Sequence, residues 1–217
     1  MKNNKVKIDV EELVDALGMA LGDAADVQLP DPELLSFYNN LANREIWLDE
    51  DINISTIEIS KLIMHFNRID EANNIPVEER KPIKLFIYSY GGEVAACFNL
   101  IDTIELSKTP VYTYNMGLAM SAAFVILISG HKRYATRRST ALIHSGSGGT
   151  QGTYEQNEAQ MKDYKHAVQV IREYILAKTK IDQKTFNKNK NTEWYMYAED
   201  QLNNGVVDGI LNSLAEI

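Results

Sequence analysis

A chain of 217 residues, 45% hydrophobic and 24% charged, is long enough for one large domain with its own core and too short for two of equal size. The 30 acidic residues against 22 basic ones give a formal charge of −8 and a pI near 5.1, with no dense basic stripe to neutralise phosphates, which excludes nucleic acid as the principal ligand. The single cysteine, Cys97, cannot form an intrachain disulfide and offers no cysteine-based metal site, so a reducing, cytoplasmic setting is expected.

Residues 1–5 lead into acidic sequence instead of an apolar signal core, and the longest apolar stretch, residues 117–128, is too short to span a bilayer. No membrane role is expected. Val10, Leu13, Val14, Leu17 and Leu21 lie at helical spacing and predict a short amphipathic helix. Asp31 and Pro32 supply the N-cap and first turn of a second one through Leu34, Leu35, Tyr38 and Leu41. Residues 1–40 thus read as a helical appendage to a main domain over 41–217.

From Arg44 onward short apolar runs alternate with amphipathic segments, the pattern of an α/β domain whose sheet is covered by helices. Residues 46–48 predict the first strand. Ser55 and Glu58 have capping-box spacing ahead of a helix with Ile59, Leu62, Ile63, Phe66 and Ile69 on one face. Residues 73–82 predict a charged loop, and residues 83–88 a buried strand running into Gly91-Gly92. Beyond the glycines, residues 94–106 predict a helix, 111–114 a strand, 121–129 an apolar helix and 140–143 a strand. A glycine-rich run over 146–152 precedes a long helix over 154–178, whose Met161, Tyr164, Val168, Ile171 and Ile175 form a heptad-like seam. Such a seam packs on its own domain or on a second copy of the chain. Residues 184–191 read as a polar loop, and Val206-Val207 as a closing strand.

Chemistry needs a better address than composition. Of four histidines, His65 lies on an amphipathic helix, His131 in a basic turn and His166 on the long helix. His144 instead sits where a buried strand opens into a glycine loop, which makes it the base candidate. Ser121 lies among small residues at the start of an apolar helix, where free backbone N–H groups and the positive helix end favour an oxyanion. The alternative is a small residue that permits tight packing. Gly91-Gly92 permits close approach of a substrate carbonyl, or makes an ordinary tight turn, and it matches neither dinucleotide nor P-loop fingerprints.

Taken together, Gly91-Gly92, the Gly-x-x-x-Ser stretch ending in Ser121, and Ile143-His144 before a glycine-rich segment resemble the proteolytic subunit of the Clp protease, the ClpP family of serine peptidases, over about residues 44–211. The resemblance implies a ClpP/crotonase-like spiral of strand-turn-helix units with a protruding strand-helix handle, made here by residues 148–152 and the long helix. It implies Ser121 as nucleophile, His144 as general base and then acid, and the N–H groups of Gly92 and Ala122 as oxyanion hole, with no metal or organic cofactor. Glu193 occupies the position of the family's aspartate, a side chain longer by about 1.5 Å. Tyr90, Ala122 and Ser145-Gly146 also depart from the family's usual residues.

The implied activity is hydrolysis of unfolded proteins or short peptides in a chamber of stacked heptameric rings, with a possible ATP-driven unfoldase as partner. Residues 1–40 would then be a propeptide, a pore plug or a docking segment. Two rivals follow from the same residues: a catalytically impaired structural or regulatory subunit, and a crotonase-type acyl-CoA enzyme, which shares the coiled architecture and the two-amide oxyanion hole.

Overall fold

Alternating apolar side chains on short β-branched runs build a sheet with two unlike faces. In the computed structural model, which describes residues 32–146 and 148–217, seven strands form one sheet. They are β1 Glu45–Leu48, β2 Ile83–Ser89, β3 Val111–Met120, β4 Lys132–Thr136, β5 Thr140–Ile143, β6 Trp194–Tyr197 and β7 Gly209–Leu211. The main path is β1-β2-β3-β4-β7, all parallel, while β5 pairs with β3 and β6 runs antiparallel on β5. The helices are α1 Pro32–Ala42, α2 Ile57–Ala72, α3 Val94–Leu106, α4 Ala122–Ser129, α5 Tyr154–Lys178, α6 Gln183–Asn189 and α7 Ala198–Asn203.

The sheet forks at β3. Its first half pairs with β4 through Tyr112–Asn115. Its second half pairs with β5, Leu118 opposite Thr140 and Met120 opposite Leu142. A fork strands backbone groups, and a buried amide pair recovers them. Asn115 Nδ2 donates to the Thr140 carbonyl and to Gln201 Oε1, both at 3.1 Å, while Gln201 Nε2 donates to the carbonyls of Ser139 and Met196.

One face of the sheet carries Ile46, Leu48, Leu85 and Ile87 into a core shared with α2, α3 and α4. All eight side chains of α4 are buried, as its uniformly apolar sequence requires. The other face carries a row of aromatic rings in register, Trp47, Phe86, Tyr114 and Tyr134, with successive centroids 4.8, 5.2 and 5.2 Å apart. Burial pushes the Tyr114 phenol up to about 12.

Several expectations are corrected. The capping box ahead of α2 is Asn53 with Thr56, because the Asn53 side chain accepts from Ser55 N–H and Thr56 Oγ1 accepts from Asn53 N–H, leaving Glu58 to pair with Lys61. Strand β3 continues six residues past Tyr114, since its second half finds a new neighbour in β5. Residues 184–191 hold helix α6, capped by Asp182 accepting from Thr185 N–H at 2.6 Å. Val206 and Val207 are buried but form no ladder, because both N–H groups close onto the Gln201 carbonyl; the closing strand is β7, paired with β4. Strands β4 and β6 were not among the expected elements. The amphipathic helix expected at Val10 to Leu21, and the cap Asp31, lie outside the described residues. The chain divides into compact units at Asn39 and Asn40.

One buried ion pair ties α2 to the start of β1. Arg44 holds Asp70 with both terminal guanidinium nitrogens, Nη1 and Nη2, and Thr109 Oγ1 donates to Asp70 Oδ2 at 2.8 Å, with the Asp70 side chain fully buried. The Arg44 hydrogen bond, followed by that of Thr109, keeps the Asp70 carboxyl below its ordinary value against the opposing effect of burial. A depressed carboxylate stabilises the fold fully above the unfolded value of about 4, and that contribution is lost as pH falls through the folded value. Asp70→Ala is therefore expected to cost about 3 kcal/mol in urea unfolding at pH 7, by leaving Arg44 without its counter-ion. The gap to the wild type should narrow as the pH approaches 2; a gap independent of pH would contradict the assignment.

Candidate active site

The site lies at the carboxyl ends of β2, β3 and β5, where parallel strands release their chains. After β2, Gly91 and Gly92 run beside Ile52: Ile52 N–H donates to the Gly91 carbonyl and Glu93 N–H to the Ile52 carbonyl, each at 2.8 Å. Gly91 has φ +104°, and a Cβ there would sit 2.6 Å from the Met120 carbonyl, 2.8 Å from Ser121 Cβ and 3.0 Å from Ala122 N. Only glycine lets this strand end press against the turn that carries Ser121.

Ser121 joins β3 to α4 with φ 55° and ψ −120°, a left-handed conformation costly for a residue with a Cβ. The ladder holds it there, with Ser121 N–H donating to the Leu142 carbonyl of β5 at 3.0 Å. The result is a sharp strand-to-helix turn that lifts the hydroxyl clear of the sheet. The N–H groups of Gly92 and Ala122 donate to no acceptor among the described residues, the latter because it opens a helix.

Strand β5 supplies the next partner. His144 follows directly on it, and Nε2 lies 2.8 Å from Ser121 Oγ. The antiparallel register places Ile143 opposite Trp194, so one step further His144 faces Glu193. The contact is made: His144 Nδ1 lies 3.2 Å from Glu193 Oε1. With Nδ1–H donating to that carboxylate, Nε2 presents its lone pair to the serine hydroxyl. The five residues expected from the sequence, Ser121, His144, Glu193, Gly92 and Ala122, thus lie at one end of the sheet. The longer glutamate reaches the imidazole, although its side chain is 57% exposed.

Beside them opens a cavity of about 420 Å³, walled by Val94, Phe124, Val125, Ile143, Ile171 and Ile175 among others. Its size suits a side chain or small ligand. Helix α5 forms one wall. Ile171 and Ile175 of its seam pack on the core, Tyr164 and Val168 line the cavity, and Met161 is exposed. Ser145 is fastened by Tyr164 Oη, which donates to its carbonyl at 3.2 Å, and by its own hydroxyl, which donates to the Lys190 carbonyl.

Sequence reasoning missed the cavity wall and the packing role of Gly91. The seam spacing of α5 carried a signal for the wall, but not for which residues turn inward. Cys97 also borders the cavity, and burial pushes its thiol up to about 12, so it is not a competing nucleophile. His131 accepts from Val111 N–H through Nδ1, a structural task. Among the described residues no cluster of three or more histidine, cysteine or carboxylate side chains could hold a metal, and no helix is long and apolar enough to cross a membrane.

A family model described as Clp protease matches residues 33–213. The chain belongs to the Clp protease family. The ATP-dependent Clp protease proteolytic subunit 2 of Treponema denticola is 30% identical over 179 residues, covering 82% of this chain and 86% of that protein. The proteolytic subunits of Deinococcus radiodurans and Dehalococcoides mccartyi are 30% and 28% identical over 136 and 175 residues, covering 62% and 79% of this chain and 67% and 83% of those proteins. The α/β spiral with its parallel-dominated sheet is the ClpP/crotonase-like fold of the Clp protease family, and the family makes the chain a ClpP-like peptidase.

Proposed function

We propose that the protein is a serine endopeptidase that cleaves unfolded polypeptides or short peptides through Ser121, His144 and Glu193. The observation that carries this reading is the pair of contacts on one imidazole, Ser121 Oγ at 2.8 Å from Nε2 and Glu193 Oε1 at 3.2 Å from Nδ1. In this mechanism Ser121 Oγ attacks the scissile carbonyl carbon while its proton passes to His144 Nε2. The carbonyl oxygen becomes an oxyanion received by the unpaired N–H groups of Gly92 and Ala122. His144 returns the proton to the leaving amine, the C–N bond breaks, and water releases the acyl group by the same steps in reverse. Cytoplasmic location, a chamber of stacked heptameric rings and an ATP-driven unfoldase that feeds it belong to the same proposal. The relatives' printed names, which speak of an ATP-dependent protease, support the unfoldase.

The test is a fluorophosphonate probe with intact-mass readout: one adduct per chain, absent in Ser121→Ala, is expected. Native mass of the assembled particle reports ring size. No adduct on the assembled particle would overturn the reading.

Glu193 carries its own prediction. In Glu193→Gln the amide can donate to Nδ1 and favour the imidazole tautomer whose Nε2 carries the proton, so kcat is expected to fall by about 10² to 10⁴. In Glu193→Asp the carboxylate retreats by about 1.5 Å, and turnover should fall or hold steady. A rise from none in the native protein to measurable turnover in Glu193→Asp would favour the impaired, regulatory reading instead.

A further inference from the structure

Two cations stand in the wall of the active-site cavity. Arg172, on α5, is half-buried, and Lys190, which caps α6, is exposed; both line the cavity with Ser121 and His144. The other partly buried cations have partners: Arg44 pairs with Asp70, Lys84 with Glu45 and Arg133 with Asp208, while Arg80 donates to the Ile75 carbonyl and to Thr109 Oγ1. The side chains of Arg172 and Lys190 have neither an ion pair nor a hydrogen bond among the described residues. Unpaired lysines and arginines are common on the exposed surface, but a half-buried guanidinium that lines a cavity and has no side-chain partner among the described residues is not. Glu193, the carboxylate at the site, is already engaged by His144.

Resting on the peptidase reading above, we propose that Arg172, assisted by Lys190, makes this cavity a subsite for an acidic side chain, so that the enzyme prefers peptide bonds that follow glutamate or aspartate. A carboxylate entering a cavity walled by Val94, Phe124 and Val125 loses water and needs a partner there. A guanidinium supplies two parallel donors matched to a carboxylate, and the apolar surroundings strengthen the pairing. The same positive charge offsets the substrate's negative charge, which would otherwise oppose an oxyanion forming nearby. Glutamine, of equal size but without charge, gains neither effect.

The experiment compares fluorogenic peptides identical except for Glu, Gln or Leu immediately before the scissile bond, on the full assembled protein. The wild type is expected to cleave the Glu peptide with kcat/KM roughly ten- to a hundredfold above the Gln peptide, the range of a charge-assisted hydrogen bond, and added salt should reduce the ratio. Arg172→Gln should bring the ratio to about one, Arg172→Glu should turn the preference toward a Lys peptide, and Lys190→Gln should lower the ratio by a smaller factor. The fluorophosphonate adduct on Ser121 shows in each variant that the site is assembled. Equal or better cleavage of the Gln or Leu peptide by the wild type, or a ratio that survives in Arg172→Gln, overturns the acidic subsite while leaving the peptidase reading intact. Absence of the adduct and of all peptide turnover in the wild type overturns both.

Discussion

Ser121→Ala is expected to lower peptide turnover by at least about 10⁴-fold, because it removes the atom that forms the acyl bond in the proposed mechanism, with little change in stability or assembly. Among the described residues the hydroxyl has a single side-chain partner, His144, and the backbone bonds of residue 121 to Leu142 and Phe124 do not depend on it. Alanine bears the left-handed φ of 55° at about the same cost as serine, so the turn itself should survive. His144→Ala should be nearly as damaging, and the double variant no worse than the worse single one, since nucleophile and base act as a unit. Steady-state kinetics of the three variants check this. Losses that multiply in the double variant would show that the two groups act independently, and the triad reading would fail.

Gly92→Ala is expected to be the most damaging single-methyl change. A Cβ at this position would lie 2.1 Å from the Ile52 carbonyl oxygen, at φ +148°, and the obstruction is backbone that cannot turn aside. The strand end must lift away from Ile52, which should cost about 3 kcal/mol or more in urea unfolding. It should also carry the Gly92 N–H out of place and suppress adduct formation at Ser121. Gly149→Ala is the matched control: no heavy atom lies within 4 Å of a Cβ there, and neither stability nor labelling should change appreciably. Equal effects of the two substitutions would refute the packing argument.

The fold was legible where sequence periodicity and burial agree. Val94–Leu106, Thr140–Ile143 and Tyr154–Lys178 were expected with the bounds observed, because each is either a clean apolar run or a long helix between glycines and caps. Strand β4, Lys132–Thr136, was hidden by its charged, half-exposed side chains; its place comes from ladder bonds to β3 and β7, which composition does not display. Helix α6 was hidden for a similar reason, being polar at every position except Phe186. The site residues were found by chain position and resemblance, since a lone serine, histidine or surface glutamate announces nothing. What the sequence could not display was the register of β6 on β5, which brings Glu193 to His144, and the packing of Gly91 against Met120 and Ser121. Both depend on residues far apart in the chain, and no local pattern encodes them.

Strand β5 grips Ser121 along one edge through the Leu142 carbonyl and is flanked on the other by the strand that delivers Glu193. His144 hangs from its end like a key on a rail between two locks. A slip of β5 by one residue would turn the imidazole to the opposite side of the sheet and disengage nucleophile and acid together. The two contacts on the His144 imidazole thus share one determinant, the register of β5 against β3 and β6.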